Sequence, residues 1–454
     1  MSVMVNTSCR VANRQQIVLW SAWMTYSSYY LCRFNMPVVK TPMCAAFSWN
    51  AQDMGVIFTA FLLTYAVGQF VNGQLADRLG ARLVASLGIV GSIGSNLAVF
   101  TVVSSADLVS VNAKRLFPVI VILWMANGFF QAMGWPSMVR LIAHWFVAGR
   151  RGKVMGFLGT AFPLGGAFSW LTASFLAGSF KPLWAGNWHL VFVVPPVMFG
   201  LVGMVFFLLV RDYPKDSQPP PICAAREGTA YSVQAGCSSI LTNILATLGN
   251  SRLWIIVAVF FLLNMNRYGF VNWLPAFLDA QGTEQSISIV ASMGEAMKRC
   301  IHPLSGAGGA MVAGWATDRY FSGRRAPVIA ILLLTLGTAS ILFPLIEVRS
   351  MWQTIVTLAL IGFCTAGPHI LLVGHAAQDF SNMSYTAGAV GLIEAVGYAG
   401  ASMAGWGAGV LIDSHGYETT FSVFGFAAIL GALLISSLWR AGPCNSSSCV
   451  SQNT

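Results

Sequence analysis

GQLADRLGAR, residues Gly73 to Arg82, lies between two long apolar segments, and GWATDRYFSGRR, Gly314 to Arg325, stands at the matching place in the second half of the chain. Both read Gly-x-x-x-Asp-Arg with further basic residues behind. Each is a short polar turn between apolar stretches, so each joins two spans at one face of a bilayer. A turn repeated in this way marks an internal duplication, which is common in secondary transporters.

The chain around the two turns is 56% hydrophobic and 9% charged over 454 residues. Its mean hydropathy is +0.68. Soluble domains carry about 25% charged residues. Apolar runs of about 20 residues, each able to cross about 30 Å of hydrocarbon, recur from end to end. Twelve spans are expected, at 17–39, 54–76, 82–103, 117–142, 154–178, 189–210, 253–277, 289–316, 326–346, 352–376, 384–412 and 419–439. The fold class is an all-α polytopic membrane protein, with twelve transmembrane helices in two pseudo-symmetric six-helix bundles. The halves are 1–210 and 253–454, and the polar, Pro-rich stretch 211–252 links them.

The net charge of +10 reflects basic loops. With the N-terminus in the cytoplasm, Arg78, Arg82, Arg150, Arg151, Arg319, Arg324 and Arg325 fall inside. The inside bias is about two to one, and both termini are then cytoplasmic. The pattern points to topology and not to nucleic acid. The nine cysteines show no CxxC pair and no metal spacing, so neither a disulfide framework nor a metal site is expected. No nucleotide loop or catalytic triad is present, and neither an enzyme nor a cofactor is expected.

Arg33 and Arg267 stand well inside apolar spans. Arg33 precedes Gly73 by 40 residues and Arg267 precedes Gly314 by 47. They are therefore counterparts, apart from extra residues near Met297–Leu304 that interrupt the pattern of span 8. A charge at this depth costs at least a few kcal/mol and usually faces a cavity or a partner. Two such cations in matching places suggest one anion site between the halves. Two alternatives stand beside it. Arg33 could snorkel to an interface, and Arg267 could pair with Glu394 or Glu295.

The repeated turn, the twelve spans and the linker resemble the major facilitator superfamily over nearly the whole chain. YYLCRF (Tyr29–Phe34), FFQAMGWPSMVRLIAHWF (Phe129–Phe146) and RYGFVNWLPAFL (Arg267–Leu278) are similar to spans 1, 4 and 7 of the organophosphate:phosphate antiporters. That resemblance implies Arg33 and Arg267 as the phosphate-binding pair. It also places Tyr65 and Tyr398 at positions of cavity tyrosines. Gln69 stands where many members carry a lysine, and Phe162 where glycerol-phosphate carriers carry a histidine.

Arginine suits phosphate because its planar fork donates paired hydrogen bonds and stays charged. Helical spacing would put Tyr26, Tyr30, Arg33 and Pro37 near one face. Tyr65, Gln69 and Asn72, and again Asn127, Gln131 and Trp135, form polar stripes that line either a cavity or an interhelical seam. His369 and His375 suit either proton transfer or packing, and His144 is structural. Asp77, Arg78, Asp318 and Arg319 are gating candidates at helix ends.

The expected function is exchange of a small organic phosphate for inorganic phosphate, around a central site of Arg33, Arg267, Tyr30, Tyr65, Gln69 and Tyr398. The alternative is a proton-coupled symporter of a non-phosphate organic anion, with Glu394 or Glu295 carrying the proton. A ligand sensor is a third class. The expected partners are the small anion, phosphate and lipid. The expected state is a monomer in a plasma or inner membrane, with an organelle membrane as the alternative.

Overall fold

The computed structural model describes residues 2–109, 113–146, 148–176, 188–213, 251–281, 289–345, 351–376 and 386–440, and regular structure among them is helical throughout. Backbone amides in hydrocarbon must bond within their own segment, and the helix does this over every apolar run. The first half contains α1 (Ser2–Tyr29), α2 (Asn35–Val38), α3 (Lys40–Phe47), α4 (Ala51–Leu79) and α5 (Ala81–Val109). It continues with α6 (Ala113–Gln131), α7 (Gly134–Trp145), α8 (Ala148–Gly159), α9 (Ala161–Ser174) and α10 (Val194–Leu209). The second half contains α11 (Ser251–Gln281), α12 (Ile289–Tyr320), α13 (Ala326–Leu342), α14 (Met351–Ile370) and α15 (Thr386–Ser436).

Nine described segments are long and apolar enough to cross a bilayer. One of them, Ile393–Ser436, is two spans folded at Gly416, whose φ is +80°. The segments around α1 and α12 are helical where spans 1 and 8 are expected. The extra residues near Met297–Leu304 lie within α12, which runs through them with Pro303 in its interior. The linker between residue 213 and Ser251 lies outside the described residues.

Several spans break within their length. Span 4 breaks between α6 and α7, three residues before Pro136 completes its first turn. Span 5 breaks at Thr160, just before Pro163. Proline lacks an N–H and is accommodated in a first turn but not in a helix interior. Span 1 breaks at the arginine itself. The chain tightens to a 3-10 turn at Tyr30–Cys32, and Arg33 follows with φ −119°. The expected single helical face through Tyr26, Tyr30, Arg33 and Pro37 therefore stops at Tyr30.

At the break the Tyr30 carbonyl keeps the Arg33 and Phe34 amides as donors, whereas the Met36 amide turns to Asn35 Oδ1 and leaves the Cys32 carbonyl without one. Ser169 Oγ donates to the Tyr30 carbonyl at 2.8 Å, and Asn127 Nδ2 donates to the Cys32 carbonyl at 2.8 Å. Asn35 ties the turn to Asn96 Oδ1 at 2.8 Å and to the Val191 carbonyl at 3.2 Å. Asn72 and Gln131 likewise bond across helices, to the Phe129 carbonyl and to Ser92. At Asn72, Asn127 and Gln131 the polar stripes are thus seams. Substituting Asn127 with leucine leaves the buried Cys32 carbonyl with only the longer bond from Asn96 Nδ2, at 3.4 Å. The expected loss is about 1–3 kcal/mol, read as a lower melting temperature of the detergent-solubilised protein.

The halves meet along α4 and α15, and along α9 and α12. At the first seam Thr59 inserts into the second half's helix. Its hydroxyl donates to the Ser402 carbonyl at 2.7 Å and accepts from Trp406 N–H at 2.8 Å. A side chain placed between residues i and i+4 of a ladder bends the helix there. Small residues permit this approach. A Cβ on Gly405 would stand 2.5 Å from Thr59 Oγ1 and 3.0 Å from the Gly55 carbonyl oxygen.

Candidate substrate site between the two halves

The break in span 1 turns Arg33 toward the second half. Its side chain is 8% exposed, which rules out snorkelling to an interface in this structure. The guanidinium donates to Tyr268 Oη at 2.8 Å. It lies 4.4 Å from the Tyr65 ring centroid and 5.3 Å from that of Phe61. Tyr30 and Phe34 complete the wall at 5.8 and 5.9 Å. Tyrosine faces stabilise a buried cation and their hydroxyls give it acceptors.

Arg267, also 8% exposed, sits beside Tyr268 on α11. Its guanidinium lies 4.2 Å over the Phe162 ring and 5.4 Å from the Tyr268 ring. Tyr268 therefore touches both cations, one from each half. Tyr65 and Tyr398 meet across the halves, with ring centroids 5.1 Å apart. Arg33, Tyr268 and Asn272 share a cavity of about 20 Å³ with Phe61 and Trp124. That holds about one water molecule. A polyatomic anion needs more room than this cavity offers.

Glu394 is half-buried one turn before Tyr398, within electrostatic reach of Arg267. No ion pair within 4.0 Å joins Arg33, Arg267 or Glu394 to an opposite charge among the described residues. Gln69 is half-buried one turn beyond Tyr65. Arg78 and Arg319 are exposed at the end of the bundle where the linker starts. The side chains of Asp77, Asp318, Glu295 and His375 lie outside the described residues. His369 packs against Phe260 at 5.3 Å, and His144 against Tyr213 at 4.5 Å. Sequence reading passed over Tyr268, although it adjoins Arg267, because its partner is in the other half.

The family model described as Major Facilitator Superfamily matches residues 20–298 and 300–447. The chain belongs to the major facilitator superfamily. It is a multi-pass membrane transporter and not an enzyme. It is 26% identical over 423 residues to the glycerol-3-phosphate transporter of Bacillus subtilis, covering 92% of this chain and 90% of the relative. It is 27% identical over 428 residues to the membrane sensor protein UhpC of Salmonella typhimurium, again with 92% and 90% covered. In mouse, the glucose-6-phosphate exchanger SLC37A2 is 23% identical over 480 residues, with 93% and 91% covered. Among solved structures, an inward-facing, occupied bacterial homolog of the human lysosomal transporter Spinster superposes with a TM-score of 0.67. It is 16% identical and covers 93% of this chain and 96% of that one.

In this major facilitator chain the described hydrogen bonds between halves run from the arginine level to the end of the bundle that carries α3. There Asp413 accepts from the first N–H groups of α4, Ala51 at 3.0 Å and Gln52 at 2.8 Å. Thr41 donates to Asp279 at 3.1 Å. Lys40 is buried, with Nζ 3.7 Å from the Trp273 ring centroid and 3.3 Å from Tyr417 Oη. At the linker end, Gln15 bonds the Trp145 carbonyl within the first half, and Arg82 N–H bonds Asp212 at the start of the linker.

Burial pushes the Lys40 ammonium down to about 7, against the opposing pull of Cys44, Asp413 and Asp279. Trp273 and Tyr417, which cover it, belong to the other half. With the halves apart it returns to water and to a value of about 10.4. The closed form then binds fewer protons between those two values, so rising pH favours closure across that window. Below about pH 7 the closed form holds a buried charge and is disfavoured. Spin labels at exposed Gln52 and His415 are expected to report more of the short distance at about pH 9 than at about pH 6. Lys40→Met is expected to flatten that dependence.

Proposed function

We propose that the chain exchanges a small organic phosphate for inorganic phosphate, by alternating access around Arg33 and Arg267. The observation that carries this reading is the pair of buried guanidiniums, one from each half, that share Tyr268 and have no carboxylate partner among the described residues. Donor-only forks in a buried, aromatic-walled site fit an oxyanion with several acceptor oxygens. The names of the relatives, which include a glycerol-3-phosphate transporter and a glucose-6-phosphate exchanger, support a phosphorylated substrate.

Exchange follows from the same geometry. Arg33 donates to a phenol where a ligand oxygen would accept, and the halves are joined through that bond. A ligand that takes Arg33 from Tyr268 loosens the join. Departure without replacement restores the join, so the return step is faster with a second anion aboard. The basic loops put the linker end in the cytoplasm. The described closure then faces outward. Tyr30, Tyr65, Gln69 and Tyr398 serve as walls of the site. Arg78 and Arg319, with Asp77 and Asp318, are proposed as elements of the opposite gate.

Proteoliposomes loaded with phosphate are expected to take up labelled glycerol 3-phosphate or glucose 6-phosphate. Uptake is expected to vanish without internal phosphate, whether or not a pH gradient is imposed. Uptake driven by the pH gradient in phosphate-free vesicles would instead establish symport through Glu394. The similarity to UhpC favours a ligand sensor as the second reading. Saturable binding without flux in the same vesicles would select it.

A further inference from the structure

Asn272 lies on α11 one turn beyond Tyr268, about 6 Å along the helix axis. It is 6% exposed and lines the cavity that holds Arg33, Tyr268, Phe61 and Trp124. Its Nδ2 has no hydrogen-bond partner among the described residues. Burying an amide donor without a partner is costly, and native interiors rarely tolerate it. Five other buried asparagines of the described core use their side-chain amide as a donor. Asn35, Asn96 and Asn127 hold the broken turn of span 1, Asn72 holds a seam, and Asn266 bonds Ser340 and the Phe424 carbonyl. Asn272 differs from these in having a cavity in front of it.

We infer that Asn272 is a specificity-determining residue, which recognises a hydroxyl group on the carbon skeleton of the substrate. The inference rests on the phosphate reading above. Arginine only donates, and so matches phosphate oxygens, which only accept when ionised. A carboxamide both donates and accepts, and so matches an alcohol, which does the same. The separation also fits. With the phosphoryl group held at the level of Arg33 and Arg267, a hydroxyl two or three bonds along the skeleton reaches the next turn of α11. Inorganic phosphate has no skeleton to reach it. The aromatic walls of Phe61 and Trp124 suit the C–H faces of a short polyol or a sugar ring. The same amide thus separates hydroxylated organophosphates from alkyl phosphates of equal length.

The test is competition against labelled phosphate counterflow in proteoliposomes of the full chain. The two competitors are glycerol 3-phosphate and propyl phosphate, which match in length and differ in hydroxyls. The wild type is expected to favour glycerol 3-phosphate by about tenfold or more, the discrimination of one good hydrogen-bonded contact. Asn272→Leu, which keeps the volume, is expected to bring the ratio close to one. Asn272→Ser is read in parallel, so that a folding defect in one variant does not decide the result. A ratio unchanged in both variants, or a wild type indifferent to the hydroxyls, overturns the inference alone. Absence of any phosphate-dependent exchange in the wild type brings down the two-arginine reading, and this inference with it.

Discussion

Replacing Arg267 with alanine is expected to lower phosphate counterflow by at least about 100-fold while leaving the protein folded. A hydrogen bond to a charged group contributes about 1.5–3 kcal/mol, and a guanidinium fork supplies two. Their loss corresponds to two or more decades at about 1.4 kcal/mol per decade. Arg267→Lys keeps the charge and loses the fork, so an intermediate rate is expected. The second readout is stability. Arg267 has no carboxylate partner among the described residues and rests over Phe162. Removing a buried cation of that kind relieves desolvation, so the melting temperature in detergent should hold or rise. A structural pair with Glu394 predicts the reverse, since its loss would strand a buried carboxylate. Near-normal counterflow in Arg267→Ala, or a melting temperature several degrees lower, would defeat the anion-site reading.

Gly405→Leu is expected to abolish exchange by another route. The α4–α15 seam leaves no space at this position, because a Cβ there meets Thr59 Oγ1 at 2.5 Å and the Thr59 amide nitrogen at 2.9 Å. The second contact is with backbone, which cannot rotate away. Thr59 would also lose its place between the Ser402 carbonyl and the Trp406 amide. The halves can then no longer close at the α3 end. Exchange needs both closed forms in turn, so turnover should fall to background. Spin labels at Gln52 and His415 should show only the longer distance, at any pH. Binding of phosphate from the outward side should persist. Retention of the short distance and of exchange would show that the seam is looser than its geometry implies.

The bundle itself was legible in the chain because a bilayer imposes length and polarity on every span. Segments such as Ala81–Ser105 and Ala326–Leu345 lie within a few residues of the expected 82–103 and 326–346. Arg33 and Arg267 were legible through their cost. Their surroundings were not. The donors that receive the broken turn of span 1, Ser169 and Asn127, come from 139 and 95 positions away. Local periodicity therefore carried the Tyr26–Pro37 face straight through a break that only tertiary contacts reveal. The same holds for Asp413, which is 362 positions from Ala51. The Met297–Leu304 stretch carries charges and Pro303 inside the expected span 289–316, and α12, packed against α9 and α14, is continuous across it.

The bond between Asp413 and the start of α4 bears on how this seam can drift over generations. One side of it is a carboxylate and the other is main chain. Positions 51 and 52 can change to nearly any residue without touching the bond, proline excepted, since each supplies only an N–H. Position 413 has no such latitude. Related chains that retain this closure should vary freely at the first pair and hold an acidic residue at the second, a lopsided record that a pair of oppositely charged side chains would not leave.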